Sequence, residues 1–399
     1  MTIQRGCIIS SEIIRDLSCV DRVFPTRGAV ADKIEKYIGS EPSVKFFYSR
    51  VMEWLYDDVG YVESKPDFNL VESGIIGSEE EIVDRLIRDF QSLPYSYCFS
   101  LPLHDDLFHV FDKNVEFVPG VSVSRFDELY RQAFPDKVAG LGLMGIGSFV
   151  NDKWKENAKV LQFNFEGFVS GFLDTRPYEE AINELRSFFG ICIGLGLVSV
   201  NASRSDVNPS FSFDVHVSSG EIWLPVRSHA LDNEDLALIM RLTDDGDRWD
   251  QAVRDGMSGY YKDQIAYFYG ASQSSEMYQR IKLSSIWLYN SYKSIDPMMS
   301  VVQATVAAEI LLGDKGESDI IGINKLLSNR CAYLIGESES DRAKIIKDFK
   351  SAYDLRSKIV HSGKNFISSD ETRVLYNLWG ILVKVIQKEI RMLPQKEDS

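Results

Sequence analysis

Arg356 and His361 stand five residues apart in the run YDLRSKIVHSGK, Tyr353 to Lys364. An arginine stays protonated and can hold two phosphate oxygens at once, a geometry that lysine does not copy. A histidine, with a reference pKa near 6.5, can accept or donate a proton at neutral pH. Together they suit chemistry at a phosphate, although one such spacing is expected about by chance in a chain of this composition. Context adds weight. Ile346, Phe349, Tyr353 and Val360 fall on one stripe of a helix, and Arg356, three residues past Tyr353, lies on that same apolar seam between Leu355 and Ile359. A charge placed there must find a partner, a route to water, or a second surface. The bland alternative is an arginine capping a helix C-terminus beside a surface histidine.

Other groupings are weaker. Gly140-x-Gly142-x-x-Gly145 matches the dinucleotide fingerprint but lacks a preceding strand and a following helix start, so it reads as a turn. His104-Asp105-Asp106 and His109 do not share a helix face and have no evident third ligand, which predicts a solvated loop rather than a metal site. Asp244-Asp245-Gly246-Asp247 lacks the spacing of a calcium loop and reads as an acidic turn. There is no nucleophile elbow and no phosphate-binding loop of the GxxxxGK type.

The elements needed to position Arg356 and His361 are helices. The GASQSS segment, Gly270 to Ser275, offers little to bury and marks a boundary. After it the pattern predicts five amphipathic helices: about 276–293; one opened by Asp296-Pro297 and closed by Gly313; about 319–335, ending at Gly336; one from the Ser338/Ser340 cap to about Val360; and one opened by the capping box Ser368-x-x-Glu371, stopping before Pro394. Short connections make this a bundle over residues 275–395. Residues 1–270 mix helical stretches (28–38, 43–56, 79–92, 124–133, 178–188, 233–242) with period-two strands at 160–168, 210–217 and 221–226. The fold class is therefore α+β: a mixed region, with a split near 155, followed by an all-α bundle.

Composition sets the outer bounds. The 399 residues are 44% apolar and 26% charged, which excludes a disordered chain. No apolar run reaches the roughly 18 residues of a membrane span, and acidic residues with Arg15 interrupt any leader-like start, so neither a membrane nor a secretory route is expected. Five cysteines without a C-x-x-C pair argue against a zinc ribbon or a disulfide framework and for a reduced, cytoplasmic protein. The net charge of −15 is uneven: residues 276–399 carry +2 and the remainder −17.

The motif around Arg356 and His361 resembles the signature of HEPN domains, specifically the ApeA-like branch, in which an arginine precedes a histidine by four to six residues near the end of a long bundle helix. The Trp287-bearing helix, ATVAAEILLG (Ala304–Gly313) and NRCAYLIG (Asn329–Gly336) support the likeness, which covers about a third of the chain. The resemblance implies a metal-independent endoribonuclease, without a cofactor, acting in anti-phage defence or abortive infection, with the preceding region sensing or restraining. It implies a homodimer through the bundle, so that the Arg356 and His361 of two copies line one cleft, and RNA, tRNA among the candidates, as substrate. A phage-derived trigger or inhibitor is the partner it implies for the N-terminal region. Ser357 fits the polar position after the arginine; Lys358, Lys364 and Arg330 are candidates for contacts to neighbouring phosphates. The competing expectation is a non-catalytic HEPN module serving dimerisation or RNA binding.

Overall fold

In a computed structural model of the 399-residue chain, the described residues are 46, 49–50, 79–135, 154–170, 176–201, 212–244, 250–313, 323–364 and 366–395. The Gly140–Gly145 run and the expected helix at 28–38 lie outside them, as does most of that at 43–56. In chain order come α1 (Glu79–Gln91), β1 (Tyr95–Pro102), β2 (Val115–Val118), β3 (Val121–Arg125), α2 (Glu128–Ala133), β4 (Lys159–Gly167) and α3 (Arg176–Leu195). Next are β5 (Ser199–Val200), β6 (Ser212–Ser219), β7 (Ile222–Ala230), α4 (Asn233–Ile239), β8 (Leu242–Thr243) and α5 (Gln251–Gly270). The chain continues through α6 (Glu276–Lys293), α7 (Pro297–Leu312), α8 (Ile323–Ile335), α9 (Glu339–Ser362) and α10 (Ser369–Arg391). The architecture is α+β, and no helix among the described residues is long and apolar enough to cross a membrane.

Six strands form an antiparallel sheet in the order β2-β3-β4-β1-β6-β7. Alternation gives it two different faces. Phe99, Phe163 and Val215 are register partners, and with Leu101, Leu161 and Phe213 they bury one face in the core with Phe188 and Phe189 of α3. Side chains on the other face are smaller or polar. Ser124 donates to Gln162 at 2.6 Å and Gln162 to Ser100 at 3.2 Å, while Ser228 donates to the buried Asp214 at 2.5 Å. Beside that row sits the buried His216, against which Phe134 packs edge-on at 5.2 Å. Burial pushes its imidazole down to about 4.

The sheet meets the bundle through α3. A methyl group on Gly190 would collide with the carbonyl oxygen of Ser285 in α6, and one on Gly194 would meet Ile386 of α10 at 2.7 Å. The missing β-carbons let the three helices approach closely, and one hydrophobic core runs from the sheet into the bundle. Charged groups fix the same joint. Arg186 of α3 holds Asp235 at 2.7 Å, and Lys293 of α6 holds Asp235 at 3.1 Å and Asp232, the N-cap of α4, at 3.0 Å.

His104 departs from the solvated loop expected of it. It is buried, accepts the Asp106 N–H at Nδ1 (3.2 Å), and therefore donates from Nε2 to the Ile239 carbonyl at the end of α4 (3.0 Å). His109 binds the buried Asp244 at 2.9 Å, so the two histidines serve separate structural roles.

Candidate functional site

Helix α9 carries both residues of the motif. It starts where Ser338 accepts the Asp341 N–H, with Glu339 and Asp341 in the first turn against the positive end of the helix dipole. It stops at Gly363, whose backbone is left-handed (φ 63°, ψ 30°) and whose N–H returns to the Lys358 carbonyl. One side is buried: Ile345, Phe349, Ala352, Tyr353 and Leu355 pack into the bundle, with the Phe349 and Tyr353 rings stacked at 5.3 Å. Arg356 continues this side, as its spacing from Phe349 and Tyr353 requires.

Arg356 finds a partner there on another helix. Its Nη2 lies 4.0 Å from Oε1 of Glu309 in α7, and the same oxygen accepts the Tyr353 hydroxyl at 3.0 Å. Burial, reinforced by the Glu309 charge, pushes the Tyr353 phenol far above its ordinary value, so it remains a hydrogen-bond donor to the carboxylate. A separation of 4.0 Å balances charge without forming a hydrogen bond. Among the described residues the guanidinium of Arg356 has no hydrogen-bond acceptor, and its Nε is buried without one. The side chains of Arg356 and Glu309 keep 29% and 27% of their surface exposed, so the pair lies at the edge of the bundle rather than deep in its core.

Glu309 is the residue of this cluster that the sequence reading left without a role. The signal was present: it is the single charged residue in PMMSVVQATVAAEILL, the whole of α7. A carboxylate in such a helix must be partnered. Its position is fixed by the end of α7. The Gly313 N–H returns to the Glu309 carbonyl at 2.8 Å, and Arg280 of α6 donates to the carbonyls of Ile310 (2.8 Å), Leu311 (2.9 Å) and Gly313. Arg330 of α8 adds a hydrogen bond to the Leu312 carbonyl at 2.9 Å. These guanidiniums occupy the negative end of the α7 dipole.

The remaining predicted residues are dispersed. His361 is exposed in the last turn of α9 and makes no hydrogen bond among the described residues. Five residues of α-helix turn it about 140° from Arg356 and raise it about 7.5 Å. Ser357 and Lys358 are exposed on the same helix. Lys364 pairs with Glu371 of the α10 capping box at 3.1 Å and ties down the intervening turn. Arg330 faces a cavity of about 630 Å³ whose lining includes Arg280, Leu311, Leu312 and Tyr333; Arg356 is not part of that lining. One chain thus joins Arg356 to Glu309 and Tyr353, and leaves His361, Lys364 and Arg330 apart from them.

No family model, curated protein or solved structure matches this chain.

Proposed function

We propose that the protein is a metal-independent endoribonuclease of the HEPN type, active as a pair of bundles and serving anti-phage defence, with the region before the bundle sensing infection or restraining the nuclease. The observation that carries this reading is the guanidinium of Arg356, held in place by the charge of Glu309 while its donors remain uncommitted, on the same helix as a solvent-facing histidine.

RNA supplies its own nucleophile. The 2′-oxygen attacks the adjacent phosphorus, the P–O5′ bond breaks, and the products are a 2′,3′-cyclic phosphate and a 5′-hydroxyl. A neutral His361 takes the 2′-hydroxyl proton, and a protonated His361 from the second copy gives one to the departing 5′-oxygen. The two then stand in exchanged states and reset through water. Such acid–base assistance is typically worth about 10²–10⁴ in rate. Arg356 stabilises the charge that gathers on the non-bridging oxygens. The need for a second copy lies in the proton bookkeeping: one imidazole cannot at the same moment be the base that takes the 2′-hydroxyl proton and the acid that protonates the departing 5′-oxygen.

The test is cleavage of RNA by the full chain in EDTA. Cyclic phosphate ends, absent with His361→Ala, support the reading. Strict Mg²⁺ dependence, or products ending in a 3′-hydroxyl, refute it.

A further inference from the structure

We propose that the solvent face of α9 is a track for a single-stranded polyanion, on which Lys344, Lys347 and Lys350 neutralise phosphates of an RNA strand that reaches His361. This deepens the ribonuclease reading and rests on it for the identity of the strand. At 100° per residue, Lys344, Lys347, Lys350, Lys358 and His361 fall within an arc of about 120°. All five side chains are exposed. Arg356 and Phe349 lie on the opposite, bundle-facing side. From Lys344 to His361 the track is about 26 Å long.

The charges on this face are uncommitted. Lys155, Lys282, Lys293 and Lys364 are each drawn to a carboxylate, on Asp105, Glu184, Asp235 and Glu371. Lys344, Lys347, Lys350 and Lys358 make no ion pair among the described residues, although Asp354 lies in the same arc, four residues from both Lys350 and Lys358. The arc therefore keeps three net positive charges on a protein whose total is −15. Acidic surface elsewhere repels phosphates, which confines a strand to this stripe. A lipid surface fits less well, because an interfacial helix needs an apolar face toward the membrane, and the apolar side of α9 is buried in the bundle.

The test uses the full chain carrying His361→Ala, with and without Lys344→Glu, Lys347→Glu and Lys350→Glu, and a fluorescein-labelled twenty-nucleotide RNA titrated by anisotropy across a KCl series. Three lost phosphate contacts should flatten the slope of log affinity against log salt by about 2, at roughly 0.7 per contact for a single strand. Affinity at about 0.1 M salt should fall at least about tenfold. The triple Lys→Gln variant should shift both in the same direction, which keeps the test valid if the charge reversals fail to fold. An unchanged slope overturns the proposal. So does stripe-dependent binding of phosphatidylserine vesicles or of a poly-glutamate peptide without binding of RNA.

Cleavage of an RNA dinucleotide, too short to reach Lys350, separates the two readings. With His361 present, the lysine variants should cut the dinucleotide like wild type and the twenty-nucleotide strand more slowly. If wild type cuts neither RNA while the stripe still governs binding, the nuclease reading falls and the track stands. If wild type cuts and the lysine variants bind and cut the long strand normally, the track falls and the nuclease reading stands.

Discussion

Glu309 faces Arg356 across the α7–α9 contact at 4.0 Å, close enough to balance its charge and too far to occupy its donors. The arrangement differs from a closed ion pair such as Arg186–Asp235, at 2.7 Å, where the carboxylate accepts directly and leaves less for a ligand. Holding a cation in place without saturating it is what a phosphate clamp needs before its substrate arrives.

Glu309→Gln tests that relationship. The amide can still accept the Tyr353 hydroxyl, so packing is kept while the charge opposite Arg356 is lost. Because both side chains reach solvent, the stability cost should stay near about 1 kcal/mol or less, read by urea unfolding. If the carboxylate holds the guanidinium in register, kcat on RNA should fall roughly tenfold or more with KM less affected, as for a misplaced clamp. Glu309→Asp, which restores the charge on a shorter arm, should recover part of the rate. A loss of stability with full activity would make Glu309 a packing residue only.

His361 and Arg356 should separate stability from function. His361 is exposed and makes no hydrogen bond among the described residues, so His361→Ala should change unfolding free energy by no more than about 0.5 kcal/mol. RNA cleavage should fall by about 10²–10⁴ in the same protein. Arg356→Lys keeps the charge beside Glu309 but loses the planar fork, and should be severely impaired while remaining folded. Near-normal turnover by Arg356→Lys would show that a point charge suffices and that bidentate phosphate contact is not used.

The bundle was legible because its ends are written in local chemistry. Asp296 before Pro297, the Ser338 cap and the reciprocal Ser368–Glu371 box all form where the sequence predicts them. The N-terminal half was harder. In YSYCFSLP the strand β1 puts small Cys98 and Ser100 on a face that is itself buried, so polarity does not alternate with exposure. The helix expected at 124–133 is instead the end of β3, an Asp127 cap and the short α2. Helix α5 escaped notice because, of its 20 residues, only Tyr261, Ile265, Phe268 and Tyr269 are buried, and Gly256 and Gly259 interrupt its interior. At the site, the seam position of Arg356 was readable from spacing, whereas Glu309 depends on how α7 meets α9, which no local pattern encodes.

Gly190 should be intolerant of any side chain. Even alanine places its methyl group against the Ser285 backbone, and backbone cannot rotate away as a side chain can. Gly190→Ala should therefore cost about 1–3 kcal/mol through overpacking of the α3–α6 joint, despite the better helix propensity of alanine. Gly256→Ala is the control: a methyl group at this position of α5 would meet nothing within 4 Å, so the variant should be neutral or slightly stabilising. Equal stability of the two variants in urea would mean that α3 and α6 are not so closely packed in solution.

Acid should weaken the fold through His216. Its folded-state pKa, about 4, lies below the ordinary value of 6.5, so between these values the unfolded chain binds more protons than the folded one. Stability from this group is fully present above about pH 6.5 and is lost as pH falls toward 4, by up to about 3 kcal/mol. Asp232 acts lower on the scale. Burial raises its pKa, but hydrogen bonds from Asp235 and Lys293 outweigh it and hold the carboxyl near 2, so its contribution is present above about pH 3.8 and is lost as pH falls from there toward 2. The two windows can be separated by urea unfolding at intervals from about pH 7.5 to about 2. His216→Leu should flatten the upper part of the profile, and Asp232→Asn the lower part alone. If His216→Leu leaves the slope between pH 6.5 and 4 unchanged, the imidazole is protonated in the folded protein and the sheet face around it admits water.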